Sequence, residues 1–126
     1  CLMREIKKVN IMDKFSLFDE KWTPKIVAEL NDQYVKLCKL KDNFIWHSHE
    51  NEDELFMVFK GTLYIDFREE KTIEINEGEM LIVPKGVEHR PRTNGELVLN
   101  LLFEPKTTKH TGQVDSTHTV KKLHWI

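Results

Sequence analysis

The sequence predicts an all-β domain, a small barrel or sandwich with a short helix near its start. Three observations lead to this prediction. Short apolar runs rich in β-branched and aromatic residues recur along most of the chain, turn residues separate them, and one early segment has helical periodicity instead. The 126 residues are enough for one ordinary core, so we expect a single domain over residues 1 to 126.

The helical segment covers residues 11 to 18. Asn10 precedes it as a candidate N-cap, and the acidic residue Asp13 lies three positions later. The apolar residues at helical spacing are Ile11, Phe15 and Phe18. Pro24 follows, and because proline cannot continue a helix, the helix should end before it. We expect this helix to close one end of the core.

Eight strand-like runs follow the helix. They cover residues 25–30, 33–40, 44–49, 53–60, 62–68, 71–76, 79–84 and 96–104. Turn residues separate several of these runs, at Asn31-Asp32, Asp42-Asn43, Lys60-Gly61 and Asn76-Glu77-Gly78. Strands of this number and length are typical of a β-sandwich or a β-barrel.

Two turns have a more specific prediction. Gly78 suits a hairpin position with positive φ, where a β-carbon is costly. The tetrapeptide Val83-Pro84-Lys85-Gly86 predicts a type I turn, with proline at its second place and glycine at its fourth. This turn lies just before His89, so it would set the direction in which the strand of that histidine enters the barrel.

The composition argues against several classes of partner. Hydrophobic residues make up 40% of the chain and charged residues 32%, with a formal net charge of -2, so neither nucleic acid nor a membrane is indicated. No apolar stretch reaches the length of a membrane span. The two cysteines, Cys1 and Cys38, form neither a disulfide framework nor a CxxC pair, which favours a reducing, cytoplasmic location.

Both ends of the chain differ from its strand-rich middle. Cys1-Leu2 precedes Met3, so we interpret these two residues as upstream sequence, with a lipid-modified Cys1 as the alternative. Residues 106 to 126 form a C-terminal tail that begins as a polar segment without periodicity. The tail regains apolar residues that we expect to dock on the domain: Val120, Leu123, Trp125 and Ile126.

Three histidines and one carboxylate stand at spacings that suit a metal site. His47 and His49 are two residues apart, so in an extended chain both imidazoles point to the same side. Glu54 and His89 would reach them only through strand pairing across hairpins. Imidazole nitrogens and a carboxylate oxygen suit divalent iron, manganese, nickel, cobalt, copper or zinc. Taken one by one, each of the four residues is more often a solvated strand-end or turn residue than a ligand.

The order of these residues forms two motifs. The first reads H-x-H-x4-E-x6-G and ends at Gly61, and the second reads G-x5-P-x-G-x2-H and begins at Gly78. Over residues 41 to 94 the chain resembles the cupin superfamily, which has two motifs in this order. Two positions depart from the family pattern, since Lys41 stands where glycine is common and Thr93 where asparagine is common. Neither is a ligand position.

The resemblance implies a jelly-roll (cupin) barrel for the single domain. It also implies that His47, His49, Glu54 and His89 bind one divalent metal ion inside the barrel. Four protein ligands leave about two positions of an octahedral metal for a small-molecule ligand or substrate. Cupins commonly pair, so a homodimer is expected as well.

Two classes of function remain open at this point. The first is a metal-dependent enzyme acting on a small chelating metabolite, either by dioxygenation or by isomerisation or epimerisation of a sugar-like compound. The second is a non-catalytic cupin that binds or senses a small molecule, and a purely structural metal is a third interpretation. The sequence identifies no catalytic base, and it contains no P-loop, dinucleotide or hydrolase motif.

Other residues carry weaker signals. Asn100 interrupts an apolar run, so its buried amide either binds a ligand or ties two strands, and the tie between strands is favoured. Cys38 is expected to be a buried structural thiol. We expect no metal at His110, His118 or His124, which lack ligand spacing. Side chains that could line a pocket are Tyr34, Trp46, Tyr64, Arg90, Arg92 and Asn100, although an aromatic in a barrel is more often a core or rim residue.

Two of the strand-like runs are apolar at every position. Residues 55–59 and 80–83 do not alternate with polar residues, so both faces of each strand should be covered. In the first run the residues out of phase with Glu54 would lie outside the barrel, and these are Leu55, Met57 and Phe59. We expect a two-fold homodimer to cover this outer face, with the N-terminal helix and the tail as the alternative cover.

Overall fold

The structure, a computed structural model, describes residues 5 to 112 and 122 to 126. Within these residues one short helix and nine strands follow each other along the chain. The helix α1 covers Ile11–Phe15, and the strands are β1 Lys25–Leu30, β2 Gln33–Leu40, β3 Glu54–Lys60, β4 Leu63–Phe67, β5 Lys71–Ile75, β6 Met80–Val83, β7 His89–Arg92, β8 Val98–Pro105 and β9 His124–Trp125. The predictions about Cys1-Leu2, His118 and Val120 lie outside the described residues.

The strands form two sheets. The larger sheet has the order β6-β3-β8-β2-β1-β9, and the smaller has the order β5-β4-β7. All pairs are antiparallel except β1 with β9. Buried side chains from both sheets form one core cluster, which includes Cys38, Phe56, Val58, Ile65 and Leu102. The predicted all-β jelly roll with a short N-terminal helix is confirmed.

A second apolar cluster lies on the outer face of the larger sheet, beneath α1. Phe15 and Phe18 pack there on strand residues of the opposite phase, including Leu37 and Leu99. Phe59 joins them, with its ring centroid 6.3 Å from that of Phe15. The N-terminal segment therefore covers part of the outer face within one chain.

The helix begins as predicted and ends earlier than predicted. The side chain of Asn10 accepts a 3.0 Å hydrogen bond from the backbone N–H of Asp13, so the N-cap is confirmed. The hydroxyl of Ser16 donates to the backbone carbonyl of Asp13, and the helix ends at Phe15, three residues before the predicted end. Phe18 is nevertheless buried.

The prediction of a strand over residues 44–49 is wrong. This region meets β7 only at isolated bridges, formed by Asn43 and by His47. These two positions have three residues between them, whereas their partners on β7 have two, so the register slips between the bridges. Pro91 lies on β7 between the partners and has no N–H to complete a ladder. β7 itself is not among the predicted runs, because a histidine and a proline alternate with two arginines.

Glycines occupy left-handed turn positions on either side of β4 and β5. Gly61 and Gly78 have φ angles of 86° and 81°, as predicted for Gly78. A β-carbon at Gly61 would lie 2.8 Å from the carbonyl oxygen of Leu97, whereas one at Gly78 would meet nothing within 4 Å. Glycine at position 61 is therefore required for space as well as for conformation.

The turn after β6 differs from the predicted type I turn. The backbone N–H of Val87 donates to the carbonyl of Pro84, so the turn begins one residue later than predicted. Gly86 takes its third place with a φ angle of 82°, which makes it a type II turn. Proline therefore stands at the first place of the turn and glycine at the third.

The C-terminal tail packs against the barrel where the structure describes it. Thr108, His110 and Thr111 are buried. β9 then pairs in parallel with β1, and Ile126 donates its backbone N–H to the carbonyl of Ile26 at 3.0 Å. The backbone of the chain end therefore docks as expected, whereas the side chain of Trp125 remains 53% exposed. Among the described residues, no helix has the length and apolar character that a membrane crossing requires.

Candidate metal centre

The four candidate ligands converge inside the barrel. His47 and His49 precede β3, Glu54 opens β3, and His89 opens β7. All four side chains are buried, and one ligand atom from each lies within 4.8 Å of the others. The ring centroid of His47 lies 5.1 Å from that of His49 and 4.4 Å from that of His89. The fold therefore brings the residues of both motifs together at one point.

Backbone hydrogen bonds hold the two motifs in this arrangement. His47 and His89 exchange N–H to carbonyl bonds of 3.0 and 2.9 Å, although the segment containing His47 is not a strand. The N–H of Gly86, in the turn after β6, donates to the carbonyl of His49 at 2.7 Å. Each histidine of the first motif is thus tied by its backbone to the second motif.

Two of the imidazoles have their tautomer set by backbone carbonyls. Nδ1 of His47 lies 3.0 Å from the carbonyl oxygen of Ile45, and Nδ1 of His89 lies 2.9 Å from that of Val87. A carbonyl only accepts hydrogen bonds, so we infer that Nδ1 carries the proton in both rings. In the neutral form Nε2 then has a free lone pair, as in most metal-bound histidines.

Nitrogen and oxygen acceptors then face each other around Glu54. Its Oε1 lies 3.2 Å from Nε2 of His89 and 3.3 Å from Nε2 of His49. The Nε2 atom of His49 is buried and makes no hydrogen bond within the described residues. Facing lone pairs repel unless a cation or a proton lies between them, so the arrangement fits a metal ion. The donor set of three imidazoles and one carboxylate suits a divalent first-row metal.

The charges in the site are set by burial and by the neighbouring groups. Burial, followed by repulsion from His89, lowers the pKa of His47 from 6.5 to about 4. Burial alone would raise the pKa of Glu54, but the imidazoles of His49 and His89 outweigh it when a proton lies between ring and carboxylate, and they hold that pKa well below 4.5. At neutral pH the site therefore offers a neutral imidazole at His47 and an ionised carboxylate at Glu54, as metal binding requires.

Comparison with known proteins identifies the family to which this site belongs. The sequence model of the cupin domain matches residues 39 to 104, just over half of the chain. The chain belongs to the cupin family. The matched residues include all four candidate ligands, so the resemblance that the two motifs indicate is confirmed.

Individual relatives agree with this assignment. The cupin is 35% identical over 100 residues to the uncharacterized protein YdbB of Bacillus subtilis (strain 168), covering 79% of this chain and 88% of that protein. A cupin-2 domain containing protein from Shewanella frigidimarina has a similar crystal structure, with a TM-score of 0.75 and 45% identity. The match covers 78% of this chain and 94% of that protein. The crystal structure of protein NMB1881 from Neisseria meningitidis is also similar, with a TM-score of 0.72 and 30% identity. This match covers 79% of this chain and 100% of that protein.

A cavity of about 30 Å³ lies inside the cupin barrel beside two of the candidate ligands, His47 and Glu54. The rest of its wall is mostly apolar and includes Trp22, Leu40, Phe44, Phe56 and Leu102. Asn100 and His110 add two polar side chains to the wall. The cavity therefore connects the candidate metal centre to the apolar interior.

The sequence indicated Asn100 for a pocket wall, whereas His110 was not expected there. His110 lies on the tail, outside any ligand spacing, and its ring stacks on that of Phe44 with centroids 5.7 Å apart. Asn100 is fully buried, and neither its Nδ2 nor its Oδ1 has a hydrogen-bond partner among the described residues. The favoured interpretation, that its side chain ties two strands, is wrong.

A buried ion pair lies next to the candidate metal centre. Lys36 and Glu104 are both fully buried, with Nζ 3.0 Å from Oε1. The register of β3 and β8 pairs Leu55 with Phe103, so its continuation places Glu54 opposite Glu104. Burial and the negative charge of Glu54 raise the pKa of Glu104 well above 4.5. Glu104 is therefore a titratable neighbour of the site, and sequence reasoning missed it.

The other side chains that the sequence indicated for a pocket do not line this cavity, and these are Tyr34, Trp46, Tyr64, Arg90 and Arg92. Arg90 and Arg92 are on the outer face of the smaller sheet, where they donate to the carboxylate of Asp66 at 2.9 and 2.8 Å. Trp46 lies there too, with the guanidinium of Arg68 3.9 Å from its ring centroid. Cys38, in contrast, is buried as expected and lines the cavity, and burial raises the pKa of its thiol far above 9.

Proposed function

We propose that this cupin binds one divalent metal ion through His47, His49, Glu54 and His89, and that it acts on a small metabolite that chelates the metal through oxygen. One observation carries the proposal. The Nε2 atoms of His49 and His89 both lie next to Oε1 of Glu54, in a buried site where at least the His89 ring has its proton on the far nitrogen. A shared cation is the simplest partner for this set of acceptors.

The charge of the site favours a particular kind of ligand. Three neutral imidazoles and one carboxylate carry a single negative charge, so a divalent ion leaves one net positive charge. A bidentate oxygen ligand with one negative charge, such as a 2-hydroxy acid or an enolate, would neutralise it. When bound, the metal supplies Lewis-acid polarisation of a ligand oxygen.

The protein residues supply orientation and exclusion of water. The carbonyls of Ile45 and Val87 hold the rings of His47 and His89 in place. Phe44 and Phe56 keep the adjoining cavity apolar, which strengthens the electrostatic interactions within it. Glu104 lies opposite Glu54 and is a candidate to give or take a proton.

Elemental analysis of protein purified without a metal-affinity tag tests the metal. We expect about one divalent ion per chain, and failure to retain iron, manganese, nickel, cobalt, copper or zinc after incubation would contradict the proposal. Metal-loaded protein is then assayed with 2-hydroxy acids, enols and diols for oxygen uptake and for isomer formation. Turnover supports an enzyme, whereas micromolar binding without turnover supports the alternative, a non-catalytic binding or sensing cupin.

We also propose that the cupin forms a two-fold homodimer. α1 covers Phe59, but Leu55 and Met57 on the same face of β3 are only partly buried. On the neighbouring edge strand β6, Met80 and Ile82 are 58% and 49% exposed. Apolar side chains grouped in this way on adjacent strands are typical of an interaction surface. A second copy carries the same surface, and a two-fold axis brings the two together.

A further inference from the structure

The cavity beside the candidate metal centre sets a size limit on any group that enters it. Its volume of about 30 Å³ has room for about two or three water-sized groups. His47, Glu54 and Asn100 all line this one small space. A group bound at the metal and extended by one or two atoms would therefore reach the wall to which Asn100 belongs.

Asn100 is an unusual residue for this wall. It lies on β8, where the sheet register pairs it with Cys38 of β2 and Val58 of β3. Neither of these neighbours is a strong hydrogen-bonding side chain. The amide is fully buried, and both its polar atoms lack partners among the described residues. A leucine would fill a similar volume without this penalty, so the asparagine lowers the stability of the ligand-free fold.

A buried amide in this position can pair with one kind of ligand group in particular. Its Oδ1 accepts and its Nδ2 donates, and a hydroxyl group both donates and accepts. A hydroxymethyl group is also small enough for the cavity. A phosphate is too large for this volume, and the apolar residues Phe56 and Leu102 in the same wall disfavour a second charged group such as a carboxylate.

We propose that Asn100 determines substrate specificity, by hydrogen-bonding a hydroxyl group of a small 2-hydroxy acid whose carboxylate and 2-hydroxyl oxygens chelate the metal. This inference rests on the proposed function, because the chelate requires the metal at His47, His49, Glu54 and His89. It adds the class of substrate: a short acid with a further hydroxyl on the carbon next to the chelate. Asn100 contacts the substrate away from the chelating oxygens.

A matched pair of probes tests this specificity. Glycerate and 2-hydroxybutanoate chelate in the same way and have the same number of non-hydrogen atoms, but only glycerate carries the extra hydroxyl. Each is titrated into the Co²⁺-loaded protein, and the visible absorption of Co²⁺ reports binding. We expect glycerate to bind about tenfold or more tightly than 2-hydroxybutanoate. In Asn100→Leu the ratio of the two dissociation constants should fall to about one or reverse.

A second measurement needs neither metal nor probe. In the metal-free protein Asn100→Leu should raise the midpoint of thermal unfolding by about 3 °C or more, because an unpartnered amide is replaced by an apolar side chain. Asn94→Leu is the matched control at an exposed position. It should leave both the midpoint and the probe preference unchanged. An asparagine that merely supports the fold would give the opposite result, a lower midpoint in Asn100→Leu.

The outcomes separate this inference from the proposed function. If wild-type protein fails to bind Co²⁺, or if His49→Ala binds it equally well, the proposed function fails and the inference fails with it. If Co²⁺ binds but neither probe binds, or if both probes bind equally tightly, only the inference is overturned. Asn100 would then hydrogen-bond only a buried water molecule. If Asn100→Leu fails to fold, Asn100→Ala takes its place, and an unchanged probe preference in Asn100→Ala overturns the inference.

Discussion

The backbone N–H of Gly86 donates a 2.7 Å hydrogen bond to the carbonyl of His49. Gly86 can do so because it adopts a φ angle of 82° in the turn after β6. The position of one candidate ligand therefore depends on the conformation of a glycine in the other motif. Glycine at this place has a role in the site as well as in the turn.

Gly86→Ala should lower both stability and metal affinity. A β-carbon at this φ angle costs about 1 kcal/mol, and rotation to relieve the strain breaks the hydrogen bond to His49. We expect about a tenfold loss of metal affinity, measured by competition with a chelator. The matched control is Gly95→Ala, where φ is 81° and a β-carbon also meets nothing within 4 Å. It should lose similar stability and keep its metal affinity, and equal affinity losses in both variants would contradict the link.

Gly61→Ala should destabilise the fold more than Gly78→Ala. Both positions have positive φ and carry the same conformational cost of about 1 kcal/mol. At Gly61 the added β-carbon also collides with the carbonyl oxygen of Leu97. Urea unfolding measures the difference between the two variants. Gly78→Val should likewise lower the free energy of unfolding by about 1 kcal/mol or more. Unchanged thermal stability in that variant would contradict the prediction that Gly78 must adopt positive φ in a hairpin.

His49→Ala and His89→Ala should each retain only a small fraction of the wild-type metal content. Removing one of four ligands leaves an incomplete donor set, while a domain of this size has enough core to stay folded. Elemental analysis measures the metal, and circular dichroism checks the fold. His124→Ala, an exposed histidine on β9, is the control and should keep the metal. Retention of one metal ion per chain by the double variant His47→Ala, His89→Ala would show that the ligands lie elsewhere.

The metal-free protein should lose stability as the pH falls from 6.5 to 4. The pKa of His47 is lowered to about 4 by burial and by His89, so in this window the unfolded chain binds a proton that the folded chain does not. His47 therefore contributes a loss of up to about 3 kcal/mol in the free energy of unfolding. The lowered pKa of Glu54 acts in the same direction below pH 4.5, whereas the raised pKa of Glu104 opposes it.

A comparison with His47→Gln isolates the contribution of His47. Glutamine does not titrate, and both proteins share the contributions of Glu54 and Glu104. Urea unfolding at several pH values should give a weaker dependence between pH 6.5 and 4 in the variant. An equal dependence in both proteins would mean that His47 titrates near its ordinary value of 6.5.

Much of the fold follows from patterns that are local in the sequence. β1 and β2 have the predicted bounds because their apolar runs and the Asn31-Asp32 turn lie within a few residues of each other. The segment 44–49 has the same kind of local pattern, yet it is not a strand. Its pairing depends on Pro91 in β7, which no local pattern reveals.

The candidate site is likewise only partly predictable from the sequence. The four candidate ligands are recognisable because they form two motifs of fixed spacing, and the structure brings them together. Lys36 and Glu104 read as ordinary surface charges, although both share a strand face with apolar residues. Their burial depends on a partner 68 residues away. Only the fold creates that partnership, so a single sequence does not distinguish them from solvated residues.

The proposed dimer should dissociate when its apolar surface receives a charge. Ile82→Lys places an ammonium group among Met80, Leu55 and their copies in the second chain, where it would be buried without a partner. Light scattering should show twice the chain mass of 15.0 kDa for the wild type and a single chain for the variant at micromolar concentration. Leu30→Lys, at a position 57% exposed on β1, is the control and should stay dimeric. A monomeric wild type would contradict the proposal.

The parallel pairing of β9 with β1 has a consequence for solubility. Without β9, β1 would be the outermost strand of the larger sheet, with its outward N–H and carbonyl groups open to pairing. The two residues of β9 and the N–H of Ile126 occupy these groups over the first part of β1, at Lys25 and Ile26. Unprotected strand edges recruit the same edge from other copies and begin aggregation. By pairing with the edge of β1, residues 124 to 126 thus disfavour aggregation, a role separate from the chemistry of the metal centre.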